Sequence, residues 1–283
     1  MSALAALLHF YGRIHVADIG AAAINEVPPY KPLLERGIAR LTAVDGDARQ
    51  QEVIRSTYGA SAVVLSYVIA DGADRTLHVA ADGSGMTSLL NPDAAHLAFF
   101  NGFTRFGRIE EEALVHTQRL ADIAELQDID YLKMDIQGAE LMVLENAGSA
   151  LDRCVVIQLE ASFIPLYEGQ PTFADIDRWM RSHGFMPHCL AKLKRWSIAP
   201  TVARGDIRIP FNQLLECDVV YVRGLVDLSK LDDDQLKKLV LISAECYRSP
   251  DLALHAVGEL ERRGMVGLND QVLQLLRGDH PKG

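Results

Sequence analysis

Short apolar runs closed by an acid or a glycine alternate, up to about Arg223, with stretches whose apolar positions recur at helical spacing. Apolar runs of four to eight residues between turn signals read as buried strands, and i, i+3, i+4 spacing reads as amphipathic helix. Strands are expected over Ile14–Ile19, Ala39–Asp45, Ala62–Ile69, Tyr131–Asp135, Cys154–Glu160, Phe185–Leu190 and Asp218–Arg223. Helices are expected over Arg49–Tyr58, Ala139–Ala147 and Phe173–His183. Such alternation is the signature of βαβ units around a largely parallel sheet, an α/β fold of seven strands with the last two as a hairpin. Right-handed crossovers then place Asp18, Asp45, Asp71, Asp135 and Glu160 along one edge, where open α/β sheets bind their ligands.

The rhythm changes twice. Between about residues 75 and 125 an extra strand at Thr76–Ala80, a helix at Asp93–Phe100 and a strand near Ala113–Arg119 interrupt the alternation, so this insert is a candidate lid or substrate wall. The segment Lys192–Gln213, with Pro200, Gly205 and Pro210, shows no period. After Arg223 the pattern is helical over Leu231–Arg248, Asp251–Arg263 and Asp270–Leu276. We therefore expect a domain over 1–224 that holds the chemistry and a helical appendage over 225–283, the latter a candidate surface for a homodimer. The opening MSALAALLHFYG is too short to span a bilayer and lacks the basic region of a signal peptide, so it reads as a docking helix.

Composition narrows the class. Hydrophobic residues make up 49% and charged residues 23% of the 283, a globular balance. A net charge of −10 argues against nucleic acid as partner, because that affinity comes from Lys and Arg on phosphates. The one basic cluster, Lys192–Arg195, reads as a solvated loop. Four scattered cysteines without a CxxC pair fit a reduced, cytoplasmic compartment and no zinc site.

The strand ends carry the candidate chemistry. At Asp18-Ile-Gly20-Ala21, a glycine without Cβ lets backbone approach a ligand. Ala21-Ala22-Ala23 stand where a glycine-rich run would continue, and Asn25 with Pro28-Pro29-Tyr30 delays the helix to near Pro29. The absence of GxGxxG weighs against a nicotinamide-dependent oxidoreductase. Asp45 is the candidate for gripping a ribose diol, since a carboxylate accepts two hydrogen bonds; alternatively Asp45 and Asp47 only cap the next helix. Asp71 is a further crevice acid or part of a plain Asp-Gly turn. His188 borders the crevice in this arrangement.

The run YLKMDIQGAELMVLENA (Tyr131–Ala147) and the loop from Glu160 to Thr172, with Pro165-Leu166-Tyr167 and Gln170-Pro171-Thr172, resemble the FkbM-type methyltransferases. Lys133, Asp135, Gln137, Gly138 and Glu140 match that pattern. The resemblance implies a Rossmann-like class I methyltransferase fold, S-adenosylmethionine as donor, and a hydroxyl acceptor on a sugar, glycan or natural product. It puts Asp18, Gly20 and Ala21 at the methionine end of the donor, Asp45 at the ribose, Asp71 at the adenine and Asp135 at the methyl donor or acceptor. Asp135, Glu160, Gln137 and Glu140 become the catalytic candidates, although Glu140 in a first helical turn also suits the helix dipole. Asp135 and Glu160 are the candidate ligands for a divalent metal such as magnesium, with Ala161 where a second acid usually stands. A catalytically silent binding or assembly protein on the same fold is the rival reading, favoured by the altered first turn.

Overall fold

The computed structural model describes residues 2–21, 27–81 and 83–278; the expected features at Ala22, Ala23 and Asn25 lie outside them. Nine strands are named in chain order: β1 Ile14–Ile19, β2 Ala39–Val44, β3 Ala62–Leu65, β4 Asp74–Ala80, β5 Ile109–His116, β6 Tyr131–Met134, β7 Val156–Ser162, β8 Phe185–Arg195 and β9 Leu214–Arg223. The helices are α1 Ala3–Leu7, α2 Lys31–Glu35, α3 Ala48–Tyr58, α4 Ala94–Phe99, α5 Phe103–Phe106, α6 Glu140–Glu145, α7 Phe173–Ser182, α8 Asp233–Tyr247, α9 Pro250–Arg262 and α10 Leu268–Gly278.

Seven strands form one sheet in the order β3-β2-β1-β6-β7-β9-β8, while β4 and β5 pair antiparallel as a separate ribbon. The pairings from β3 through β7 are parallel, and β9 runs antiparallel to both β7 and β8. This is the seven-stranded sheet expected from the sequence, with the hairpin at its end. Alternate residues of each strand feed two cores, as the period of two requires. Val16, Tyr131, Val156 and Val220 enter one cluster, and Ala17, Leu132, Ile157 and Val219 enter the other.

Two expectations about strand ends are corrected. β3 stops at Leu65, and the chain continues irregularly to Ile69, which bridges to Gln118. β8 continues to Arg195, so the Lys-Leu-Lys-Arg cluster is strand: its alternation fits a pleat with one wet face.

Helices α8 to α10 share the sheet's hydrophobic core. Leu236, Leu239, Val240, Leu252, Val257 and Leu260 are buried in the same cluster as Ile14, Val16 and Tyr131. Polar ties reinforce the contact: Lys238 Nζ donates to Asp130 Oδ1 at 2.9 Å, and Tyr247 Oη donates to Gln158 Oε1 at 2.8 Å. The insert has its own small core of Met86, Leu97, Phe100 and Phe103, shared with Leu166, Tyr167 and Leu215 of the main sheet and its loops. Among the described residues no helix is long and apolar enough to cross a membrane.

Candidate functional site

A cavity of about 820 Å³ opens over the carboxyl ends of β1, β2, β6 and β7, between the sheet and the insert. Register explains which side chains meet there. Asp18 on β1 pairs with Lys133 on β6, and Lys133 with Gln158 on β7. Two residues further along the same face come Gly20, Asp135 and Glu160, and Glu160 pairs with Asp218 of β9, which in turn pairs with Lys192 of β8. A last row joins Ser162, Glu216 and Lys194. Of these, all but Ser162 line the cavity. The period of two along strands thus converts scattered sequence positions into one polar floor.

At the β1 end, Asp18 is buried and doubly held: Tyr30 Oη donates to Oδ2 at 2.5 Å and Lys133 Nζ to Oδ1 at 3.3 Å. Burial and the Asp18 charge push the Tyr30 phenol well up, so it remains a donor. Burial works against the Lys133 ammonium, but Asp18 and Asp135 outweigh it and hold its pKa above the ordinary lysine value. Gly20 has φ 75°, and a Cβ there would lie 2.0 Å from the Asp135 carbonyl oxygen. This glycine therefore lets the β1 turn close against the β6 turn, a tighter reason for it than ligand approach alone. Asp45 lines the cavity after β2, accepts the Asp47 backbone N–H at 2.8 Å, and is pushed up to about 6 by burial.

The turn after β6 is built from two consecutive left-handed residues, Gln137 at φ 56° and Gly138 at φ 103°. A non-glycine residue in that region is held there only when its surroundings fix it. Glu140 supplies one clamp: its buried carboxylate accepts from the Ile136 N–H at 3.0 Å and the Gly138 N–H at 3.0 Å. Ser88 of the insert supplies another, donating to the Gln137 carbonyl at 2.7 Å. Tyr167 Oη donates to Gln137 Oε1 at 3.3 Å, which turns the amide nitrogen toward the acids. Gln137 Nε2 then donates to Asp135 Oδ1 at 2.9 Å and to Glu160 Oε1 at 3.3 Å. Burial pushes Glu160 well above the ordinary carboxyl range, helped by the charges of Glu216 and Asp135.

The far end is polar and aromatic. Lys194 Nζ donates to Glu216 Oε1 at 2.5 Å, and Trp196, Phe103 and Phe106 pack edge to face beside it. The insert contributes Leu77, Val79, Met86 and Thr87 to the wall, so it does cover the crevice.

The structure thus brings Asp18, Gly20, Ala21, Asp45, Asp135, Gln137 and Glu160 to one cavity. It does not bring Asp71, Glu140 or His188 there. Asp71 faces Arg75, which donates to it at 2.9 and 2.6 Å, and this pairing holds its carboxyl well below the usual range. With β3 ended at Leu65, Tyr67, Val68 and Ile69 take the place along the wall that Asp71 was expected to hold. Glu140 turns inward as the clamp described above, and His188 Nε2 bonds Ser249 Oγ at 2.8 Å. Sequence reasoning missed Gln158, Lys192, Lys194, Glu216 and Asp218 as cavity residues. For the four on β8 and β9 the signal was polar residues two apart, at 192 and 194 and at 216 and 218.

The cavity volume falls within the range of small-molecule sites. Its order along the sheet edge fits a nucleoside donor: an acid for the ribose at Asp45, then the Gly20 turn, then Asp135. The residues do not fit a divalent cation in the same way. Among the described residues no three His, Cys, Asp or Glu side chains are grouped to hold a metal, and an amide donor stands between Asp135 and Glu160.

A family model described as the methyltransferase FkbM domain matches residues 23–187. No curated protein matches the chain significantly in sequence. Among solved structures, a putative tRNA (m1A22) methyltransferase of Streptococcus pneumoniae aligns over 98% of this chain and 99% of its own, at 13% identity and TM-score 0.37. TrmK of M. capricolum in complex with S-adenosyl-homocysteine aligns over 96% and 97%, at 9% identity and TM-score 0.36. A precorrin-6y C5,15-methyltransferase of Geobacter metallireducens aligns over 78% and 84%, at 12% identity and TM-score 0.36. Likeness of this degree supports no conclusion beyond itself.

Proposed function

The chain belongs to the FkbM family of S-adenosylmethionine-dependent methyltransferases, and we propose that it methylates a hydroxyl oxygen on a sugar, glycan or natural-product small molecule. The observation that carries the oxygen acceptor is the carboxylate pair Asp135 and Glu160, bridged by the Gln137 amide on the cavity floor. A hydroxyl must lose its proton as its oxygen attacks the sulfonium methyl in line, and a positioned carboxylate is a suitable base.

The donor supplies an electrophilic methyl carbon when bound. Asp45 holds the ribose hydroxyls in this reading, and the Gly20–Ala21 turn supports the amino-acid end. Asp135 and Glu160 orient the acceptor hydroxyl and receive its proton. Burial raises the proton affinity of Glu160, so it receives the acceptor's proton only in its ionised form. The acidic floor and the net charge of −10 favour a neutral, hydroxyl-rich acceptor over nucleic acid.

The test is turnover. Purified protein with S-adenosylmethionine and a panel of glycosides and hydroxylated natural products should release S-adenosylhomocysteine with at least one acceptor, and mass spectrometry should show a mass gain of one methyl on oxygen. Methylation on nitrogen or carbon would contradict the proposal.

A further inference from the structure

Of the cations on the cavity wall, Lys133 stands apart. It lies on β6, directly beside β1 and its Gly20–Ala21 turn, whereas Lys192 and Lys194 lie on β8, three strand spacings from β6, and Arg208 lies in the connection from β8 to β9. At about 4.8 Å per strand, β8 is roughly 14 Å away. Lys194 is also engaged by Glu216. The Lys133 ammonium is anchored by Asp18 at 3.3 Å, lines the cavity, and keeps 18% of its side chain exposed there. Asp18 itself is buried and held by Tyr30 on its other oxygen, so the pair is fixed with its cationic partner toward the ligand space. An ammonium has three N–H donors, and one bond to Asp18 does not exhaust them.

The amino-acid end of S-adenosylmethionine is a zwitterion, with a carboxylate and an ammonium on one carbon. We propose that Lys133 Nζ binds the α-carboxylate of the donor, with Asp18 as the positioning residue that fixes the lysine. Flanking Asp18 and Asp135 balance the donor's ammonium and sulfonium charges. This rests on the donor reading given above. It assigns Lys133 a contact with the ligand, where a purely structural lysine would only neutralise Asp18.

Calorimetric titration with two probes separates these roles. S-adenosylhomocysteine carries the amino-acid end, and 5′-methylthioadenosine lacks it while keeping the nucleoside. Lys133→Met is expected to weaken S-adenosylhomocysteine by roughly 10- to 100-fold, the range of a charge-assisted hydrogen bond. Its affinity for 5′-methylthioadenosine should change by less than about threefold. Because Lys133→Met leaves Asp18 buried without its cation, the double variant Asp18→Asn/Lys133→Met, which removes both charges, is measured alongside. It should show the same selective loss. Equal loss for both probes, or none for S-adenosylhomocysteine, in whichever of these variants retains a cooperative thermal transition would overturn the assignment. Wild-type protein that binds neither probe would instead overturn the donor reading from which the assignment follows.

Discussion

The Gln137 amide nitrogen stands 2.9 Å from the Asp135 carboxylate, and the same nitrogen reaches Glu160 at 3.3 Å. One side chain therefore spaces the two acids on which methyl transfer to oxygen depends. Glu160→Gln removes the half-buried acid but keeps the shape. Initial rates of S-adenosylhomocysteine formation are expected to fall at least 100-fold, with S-adenosylhomocysteine affinity within about threefold of wild type. An unchanged rate would remove Glu160 from the mechanism.

Tyr167 acts on the same pair from behind. Its hydroxyl shares its one proton between Gln137 Oε1 at 3.3 Å and the Met86 carbonyl at 3.2 Å, linking the insert to the turn. Tyr167→Phe should lower kcat about tenfold through a misdirected amide, while the melting temperature shifts by only a few degrees. Paired kinetic and thermal measurements check this, and an equal loss in Gln137→Leu that is not additive with it would place both on one path.

Gly20→Ala tests the contact between the two turns. A methyl group 2.0 Å from the Asp135 carbonyl forces the β6 turn away, and alanine is strained at φ 75°. A loss of about 2 kcal/mol or more in urea unfolding is expected, with donor affinity falling together with stability. Stability and affinity equal to wild type would show that the turns do not touch.

Glu140 gives a pH signature. Burial raises its carboxyl to about 7, above the ordinary 4.5, against the lowering effect of the Ile136 N–H. A raised carboxyl means that the folded protein binds the proton more tightly than the unfolded chain. Its contribution is therefore most favourable below about pH 4.5 and is lost as pH rises to about 7. Other groups titrate in the same window, so the comparison is with Glu140→Gln. Wild type should lose stability relative to the variant between pH 4.5 and 7, by up to roughly 3 kcal/mol at 1.36 kcal/mol per unit, and the difference should be flat above that. Melting curves across pH measure it; a difference independent of pH would refute the buried ionisation.

The C-terminal helices make a prediction about the whole fold. Leu236, Leu239, Val240, Leu241, Ile242, Leu252, Val257 and Leu260 are all buried in the cluster that holds Val16 and Tyr131 of the sheet. At about 1.5–3 kcal/mol each, their loss matches or exceeds the 5–15 kcal/mol that holds an ordinary domain. A chain ending at Arg223 should show no cooperative thermal transition by circular dichroism. A folded, truncated domain would restore the separable appendage that the sequence suggested.

Much of this was legible before any coordinates. Strands β1, β6 and β7 are apolar runs that end in or near an acid, so both the strand and its terminal chemistry could be read locally. The placement of Asp71 could not, because the end of β3 depends on the insert: Ile69 leaves the sheet to pair with Gln118, and Arg75 captures the carboxylate. Glu140 read as a catalytic candidate or as an acid suited to the dipole of a first helical turn, yet the left-handed Gln137–Gly138 step turns two N–H groups inward and the carboxylate follows them. The Lys192 and Lys194 alternation was present in the sequence, but only the register with Asp218 and Glu216 shows that it faces the cavity. The unity of α8–α10 with the sheet was hidden for a similar reason. Helical periodicity reveals that a helix has an apolar face, and not which surface that face covers.

The most direct measurement is isothermal titration of the full chain with S-adenosylhomocysteine at pH 7.5, repeated for Asp45→Ala. One site per chain, with affinity reduced at least tenfold in the variant, is the predicted result. No measurable binding to wild type, or binding untouched by Asp45→Ala, would contradict a nucleoside donor seated along the Asp45–Gly20–Asp135 edge.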